Sequence, residues 1–213
     1  MKLILDCKHS LPKETLFRVV KENSYERYPD TYDEFLTQLI IHKLDYDKAI
    51  DLSIRTLNIQ WSNIIRQELV RLFRTDDIRV NVGNSSPSYK ISVDISYDKP
   101  DPKFIADVAY RILRTTMPTK LEPVLGKMVK TYDQMIAENV KYYKCSYKEA
   151  KQLTDIIILD RVLPSIIEGC LRRILRVINS GLKIYVQLAN PDKLRHKYGR
   201  LLQKLKNRPK DQL

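Results

Sequence analysis

The sequence predicts an α+β fold that is mostly helical and contains a small sheet. Apolar and polar residues alternate over 78–97, with a turn-rich interruption, and they alternate again over 182–188. A short apolar run at 2–6 is predicted to be a further strand. Most of the remaining chain carries apolar residues at helical spacing, so helices are expected to surround a sheet built on the 78–97 hairpin.

The hairpin is the clearest local pattern in the chain. Its first strand alternates Ile78, Val80 and Val82 with Arg79 and Asn81. Its second strand, after a turn-rich segment, places a large apolar or aromatic residue at every other position: Tyr89, Ile91, Val93, Ile95 and Tyr97. Two alternating runs joined by such a loop predict a β-hairpin with one buried face.

Four helices are predicted before the hairpin from the spacing of apolar residues. They cover 13–22, 31–42, 47–57 and 60–74. Pro12 suits a position near the start of the first helix. Asp30 is expected to cap the second helix, because an aspartate side chain accepts the free N–H groups of a first helical turn.

Capping signals mark helix starts after the hairpin. Asp101 precedes Pro102, a residue that suits the first helical position. Ser146 and Glu149 have the spacing of a capping box. Asn190-Pro191-Asp192 repeats the cap-and-proline signal, so the last helix is expected to begin there.

Two further helices are predicted from apolar spacing. One covers 124–143, and the other runs from Pro164 to Ile178 after an expected break at 161–164. Asn179-Ser180-Gly181 is expected to end this second helix, as glycine commonly does.

The totals are typical of a soluble globular chain. Of its 213 residues, 43% are hydrophobic, which is enough to build a core. No apolar run reaches the roughly 18 residues of a membrane span, and the N-terminus does not resemble a secretory signal. Cys7, Cys145 and Cys170 match no disulfide framework or zinc motif. We therefore expect a reducing intracellular environment or a virion.

The positive charge is concentrated at the C-terminal end. The net charge is +12, and the segment from Leu171 onward carries 12 Lys and Arg against 2 Asp, whereas the rest carries 26 against 24. Concentrated charge is typical of proteins with a phosphate-bearing or acidic partner, although a solvated tail has the same composition. We expect a compact helix-rich α+β domain at 1–189, followed by a basic amphipathic helix and tail at 190–213.

The last helix has leucines on one side and cations on the rest. Its apolar side consists of Leu194, Tyr198, Leu201, Leu202 and Leu205. Three interpretations compete: docking on its own domain, binding nucleic acid, or lying on an anionic membrane. The membrane interpretation is the weakest, because no Trp or Phe anchors the helix in a bilayer. Docking and polyanion binding are compatible, since the leucines pack while the lysines face outward.

No catalytic constellation is recognised, and no cofactor or metal site is expected. His9, His42 and His196 lie on separate predicted elements, so nothing pairs a histidine with a nucleophile. Cys7 and His9 have a spacing that suits a metal but lack a second pair of ligands. The chain is therefore predicted not to be an enzyme.

Two acidic groups were weighed as metal sites. Asp45, Asp47 and Asp51 lack the glycine and distal Glu of a calcium loop, so they are expected to stabilise a helix start. Asp94, followed by Asp101 and Lys103, loosely resembles the carboxylate–lysine arrangement of restriction-endonuclease-like nucleases. That resemblance implies a metal-dependent nuclease, although capping already accounts for Asp101.

The order helix, hairpin, helix over Asn63–Leu125 ends in Met117-Pro118-Thr119-Lys120-Leu121-Glu122. This order resembles the C-terminal part of some bacteriophage tail-tip and baseplate-wedge proteins. The resemblance covers about a third of the chain and transfers no functional residues. It implies an assembly role in a virion.

The first functional hypothesis is therefore a non-enzymatic structural or assembly component of a large complex, in particular a bacteriophage virion protein of the tail, baseplate or connector. Its expected partners are other protein subunits, with oligomerisation and without a membrane. The alternative is a nucleic-acid-binding protein. Its phosphate contacts, or contacts to another acidic partner, would come from Arg172, Arg173, Arg176, Lys193, Arg195, Lys197, Arg200, Lys204 and Lys206.

Overall fold

The computed structural model describes residues 2–10, 13–24, 26–41, 45–85, 90–116, 130–175, 185–189 and 191–207. The elements in these ranges confirm a mostly helical α+β fold. In chain order they are β1 Lys2–Ser10, α1 Lys13–Asn23, α2 Tyr32–Ile41, α3 Tyr46–Phe73, β2 Ile78–Ser85, β3 Lys90–Asp98, α4 Pro102–Thr116, α5 Tyr132–Tyr143, α6 Tyr147–Ile157, a π-helical segment Ile158–Val162, α7 Leu163–Ile174, β4 Tyr185–Leu188 and α8 Asp192–Lys206.

The chain divides into two compact units, which do not follow a single cut in the sequence. The sheet unit consists of Lys2–Asp98 and Ile167–Gln187, and the helical unit consists mainly of Lys99–Ile166 and Leu188–Leu213. The last helix therefore belongs with the middle of the chain. The division into domains at 1–189 and 190–213 stays a prediction.

The sheet has the strand order β2-β3-β1-β4, which confirms that strands at both ends of the chain join the hairpin. β1 and β2 both pair with β3 in antiparallel register. Tyr97, for example, lies opposite Leu3 on one side and Ile78 on the other. β1 is longer than the predicted 2–6, because its pairing with β3 continues to Ser10.

Helix α3 covers the apolar face of the hairpin. Trp61, Ile65 and Leu69 are completely buried along its inner side. Near the C-terminal end of the helix, Phe73 packs on Tyr97 of β3 with the ring centroids 5.6 Å apart. Arg66 Nε also donates a hydrogen bond of 3.3 Å to the carbonyl oxygen of Ile78 on β2. This packing explains why the alternation of β2 and β3 is so regular.

The prediction of two helices at 47–57 and 60–74 was wrong, because α3 is one continuous helix of 28 residues. The proposed gap contains no glycine or proline, and Asn58 there is nearly buried within the helix. Leu57 and Trp61 are both fully buried, one turn apart, on the two sides of this point. Burial of that stripe outweighs the low helix propensity of asparagine.

Helices α1 and α2 pack beside α3 around an aromatic cluster. The ring of Phe17 lies 6.0 Å from that of Tyr32 and 5.5 Å from that of Phe35. The cap of α2 differs from the prediction: Thr31 Oγ1, not Asp30, accepts from the backbone N–H of Glu34 at 3.2 Å. The Asp30 carboxylate instead binds Lys21 at 2.8 Å, so its charge is used in an ion pair.

In the helical unit, the predicted caps of α4 and α6 are confirmed. Asp101 Oδ1 accepts from the backbone N–H of Lys103 at 3.0 Å, and Pro102 occupies the first helical position. Ser146 and Glu149 form the complete capping box. Helices α5 and α6 then form a hairpin, which is tied by a bond of 2.6 Å from the Tyr132 hydroxyl to Asp155.

The predicted break at 161–164 was wrong, because the helix continues through a widened turn. Residues Ile158–Val162 form a π-helical segment, in which the backbone N–H of Leu163 donates to the carbonyl of Ile158 five residues earlier. Pro164 has no N–H to offer and would crowd the preceding turn of an α-helix. A π-turn just before the proline relieves that conflict without ending the helix.

Parts of several predictions lie outside the described residues. These parts are Pro12, His42, the hairpin turn at 86–89 with Tyr89, residues 124–129 of the helix predicted at 124–143, the end of the helix predicted to reach Ile178, the terminator 179–181, residues 182–184 of the last strand, and Asn190. Within the described ranges, no helix combines the length and apolar character needed to cross a bilayer.

The packing of α3 predicts that substitutions of two leucines on this helix differ greatly in their effect on the free energy of unfolding. Leu57→Ala should lower the free energy of unfolding by about 2–5 kcal/mol, because the side chain is fully buried. Leu52 is 41% exposed, so Leu52→Ala should change it by less than about 0.5 kcal/mol. Urea unfolding followed by the fluorescence of Trp61, the single tryptophan, measures both in the sheet unit. Equal effects would contradict the assigned inner face.

Candidate nucleic-acid interface

Helix α8 docks on the helical unit through one apolar side. Leu194 and Leu205 are buried, at 6% and 9% exposure, and the predicted partners between them are partly covered. The helix runs antiparallel to α6 and the π-helical segment. Near its C-terminal end, Lys204 Nζ lies 3.4 Å from Glu149 Oε1, and near its start, Arg195 Nε lies 3.7 Å from Asp160 Oδ1. The expected docking through the leucine side is therefore confirmed.

The cations of α8 border this docked side in two rows. Lys193, Lys197, Arg200 and Lys204 recur at spacings of three and four residues, so they follow one helical edge, which we call the basic stripe. Arg195 and Lys206 follow the opposite edge. All six side chains are exposed. Docking thus turns the cations outward rather than burying them.

Among the residues that the structure describes, four of these six cations have no ion-pair partner. No carboxylate among the described residues lies within 4 Å of Lys193, Lys197, Arg200 or Lys206, whereas Arg195 and Lys204 each have an acidic partner. Glu149 and Asp160, the two partners, are the less exposed members of their pairs, at 10% and 15% side-chain exposure. The ion pairs therefore fix the register of the docked helix, and the other cations remain available to an anionic ligand.

The remaining predicted binding residues lie elsewhere in the chain. Arg172 and Arg173 are on α7 in the sheet unit, where they bind Glu168 at 2.8 Å and Glu68 at 3.0 Å. Arg176 lies outside the described residues. Six of the nine predicted residues therefore lie on α8. The other three form a separate group, in which the two described members, Arg172 and Arg173, are paired with carboxylates.

A second set of cations was missed by the sequence analysis. The last turn of α5, the turn that follows it and the first two turns of α6 expose four lysines: Lys141, Lys144, Lys148 and Lys151. Tyr142 and Tyr147 in the same segment are 80% and 63% exposed. The Lys204–Glu149 contact places this segment beside α8. The signal for this set is the charge of each unit, which the sequence alone does not delimit. The helical unit has 20 Lys and Arg against 10 Asp and Glu, whereas the sheet unit has 18 against 16.

Tyrosine side chains connect the α5–α6 segment to α8. Partial burial and a hydrogen bond with Tyr198 of α8 raise the pKa of Tyr143 to about 12, with smaller contributions from its neighbours. The ring of Tyr142 packs edge-on against Tyr143 at 4.8 Å. The hydroxyl of Tyr143 therefore stays protonated near neutral pH and contributes no negative charge to the surface.

The acidic groups that were weighed as metal sites have structural roles. Asp45 caps α3 by accepting from the backbone N–H of Lys48 at 2.9 Å, and its pKa is lowered by its hydrogen bonds with that residue. Asp51 binds Arg55 at 2.8 Å. Asp101 caps α4, and Asp94 lies on β3 in the other unit. Within the described residues, no three His, Cys, Asp or Glu side chains cluster as metal ligands.

Comparison with protein-family models, with curated proteins and with solved structures finds no match to this chain. Functional inference therefore depends on the geometry and charge of the chain itself.

The Tyr143–Tyr198 pair predicts a measurable pKa change. Tyr198→Phe removes the hydrogen-bond acceptor that favours protonated Tyr143, so the pKa of Tyr143 should fall below about 12 but stay above the ordinary value near 10, because burial, the larger cause, is unchanged. Ring-¹³C NMR of labelled tyrosine follows the titration between pH 9 and 13. Tyr46→Phe, at an exposed position of the sheet unit, is the control and should leave it unchanged. An unaltered pKa in Tyr198→Phe would contradict the hydrogen bond.

Proposed function

We propose that the protein binds nucleic acid by placing the basic stripe of α8 against the phosphate backbone. The observation that carries this proposal is that Lys193, Lys197 and Arg200 lie along one edge of a docked helix, and that no carboxylate of the described ranges forms an ion pair with them. Phosphates neutralised by such cations release condensed counterions, which supplies most of the sequence-independent affinity. The stripe extends over twelve residues from Lys193 to Lys204, or about 16 Å of helix, which matches about five nucleotides of a duplex strand.

Docking favours nucleic acid over an anionic membrane. A membrane-surface helix must insert its apolar side among the lipids. In α8 that side is packed on α6, because Leu194 and Leu205 are already buried. All six cations of α8 are exposed, and they suit phosphates that approach from outside.

The exposed tyrosines favour a single strand. Tyr142 and Tyr147 accompany the lysines of the α5–α6 segment beside α8, and both rings are largely accessible. Aromatic side chains next to a basic groove stack on unpaired bases, an interaction worth about 1–3 kcal/mol per base. In this arrangement the tyrosines stack on the bases, and the lysines contact the phosphates of the same strand.

A second proposal is a non-enzymatic assembly role, in particular in a bacteriophage virion. The sheet unit exposes several large apolar side chains, and these favour a protein interface: Ile41, Tyr46, Leu52 and Ile59. Leu52 and Ile59 are seven residues apart and lie on the same outer side of α3. Contiguous exposed apolar surface is typical of contacts between subunits.

The nucleic-acid proposal predicts a change in salt dependence. Lys197→Gln/Arg200→Gln should weaken binding to a fluorescent oligo(dT) and reduce the slope of log affinity against log salt by about 1.4, that is, about 0.7 for each lost phosphate contact. Arg172→Gln/Arg173→Gln removes the same charge from the paired arginines of α7 and is the matched control. Fluorescence anisotropy over a salt series measures both.

Two outcomes would contradict the proposal. Equal loss of affinity in the two double variants would show that net charge matters and position does not. Absence of salt-dependent binding by the unaltered protein would exclude phosphate recognition by α8.

The assembly proposal predicts self-association through α3. Sedimentation of the unaltered protein should show oligomers, and Leu52→Glu/Ile59→Glu should shift the distribution to monomer, since charges disfavour burial of that side. Asn81→Glu/Gln187→Glu, with the same added charge at exposed positions of β2 and β4, is the comparison for net charge. A monomeric unaltered protein would overturn self-association through this side.

A further inference from the structure

A pocket of about 290 Å³ lies where α8 crosses the π-helical segment. Six residues line it: Ile156, Ile157, Asp160, Arg161, Arg195 and Tyr198. All belong to the helical unit. The volume is at the lower end of the range for small-ligand sites, which suits a single flat ring rather than a large ligand. π-turns within α-helices frequently occur at functional sites.

Asp160 in this pocket has an unsatisfied carboxylate oxygen. Its Oδ1 atom is buried and has no hydrogen-bond donor among the described residues. Arg195 Nε, the nearest cation, is 3.7 Å away, too far for a hydrogen bond. A buried acceptor without a donor is costly, and native proteins pair nearly all such groups. Because Oδ1 itself is shielded from solvent, a ligand donor would reach it only when the Asp160 side chain turns it towards the pocket that the residue lines.

The charges around Asp160 restrict what that ligand can be. Arg161 and Arg195 line the same pocket, so the site carries two positive charges and one negative charge. A cationic ligand would meet repulsion from both guanidinium groups. A ligand with neutral N–H donors and a negative group nearby satisfies every member of the site. A nucleotide has this combination, with N–H groups on the base and a phosphate.

The other walls suit a base. Ile156 and Ile157 provide an apolar side, and Tyr198 provides an aromatic ring. Guanine presents adjacent N1–H and N2–H donors, which match the two oxygens of a carboxylate. Thymine has no amino donor and offers a single N–H. The arginines are then free to contact the flanking phosphates or to stack on the base.

We infer that this pocket holds one extruded guanine of a bound single strand, with Asp160 accepting hydrogen bonds from the base and with Arg161 and Arg195 contacting the adjacent phosphates. This inference rests on the proposed nucleic-acid function and adds base preference to it. The basic stripe supplies affinity for any sequence, and the pocket supplies selection.

The test compares oligo(dT) with the same oligonucleotide carrying one central dG, by anisotropy at constant salt. The unaltered protein should bind the dG-containing strand about tenfold more tightly, as expected for one good bidentate base contact. Asp160→Asn places an N–H where the base needs an acceptor, so the preference should disappear. The variant also loses the ion pair between Asp160 and Arg195, so the readout is the ratio of the two affinities and not the affinity for oligo(dT) alone.

Asp133→Asn, an exposed position on α5, gives the same change in net charge and should retain the preference. Equal binding of both strands by the unaltered protein would overturn the pocket inference and leave phosphate binding by α8 intact. Retained preference in Asp160→Asn would also overturn it.

A second measurement does not depend on the basic stripe. Titration with GMP, followed by ¹⁵N NMR, should shift amides of Asp160, Arg161 and Arg195 more than titration with UMP. If neither oligonucleotide binds, the proposed function fails, and the GMP titration still decides the pocket. Equal shifts with the two nucleotides would overturn the inference.

Discussion

The docking of α8 on α6 is the interaction on which the functional surface depends. Two buried leucines, Leu194 and Leu205, contribute about 1.5–3 kcal/mol each. The ion pairs to Glu149 and Asp160 involve cations that are mostly exposed, so each adds about 1 kcal/mol or less. Apolar burial therefore holds the helix, and the ion pairs fix its register. Without docking, the same cations would belong to a flexible tail with no defined surface.

Three features of the helical unit follow from that placement. The cations of the basic stripe face outward, the lysines and tyrosines of the α5–α6 segment lie beside them, and Arg195 and Tyr198 close the pocket over Asp160. The π-helical segment contributes to the third feature, since Asp160 lies within it. In the two proposals, a single docked helix provides both the sequence-independent phosphate contacts and the site that distinguishes bases. The proposals for affinity and for selection consequently depend on the same contact.

Sequence patterns predicted what depends on neighbouring residues and missed what depends on distant ones. The alternation of 78–97, the capping box at Ser146 and the leucine side of α8 were all predicted, because each is local chemistry. The continuity of α3 was missed, because burial against the sheet decides it. The pocket was also missed, because Asp160 and Arg195 are far apart in the chain and meet only when α8 packs on the π-helical segment.

The most direct test of the central claim is oligo(dT) binding by Leu194→Asn/Leu205→Asn, measured by anisotropy with circular dichroism to confirm that the rest of the chain stays folded. These changes undock α8 and leave every charge in place. The account predicts weaker binding at all salt concentrations, because the cations lose their fixed arrangement. Affinity equal to that of the unaltered protein would show that the charges act as a flexible tail, and would contradict the docked interface.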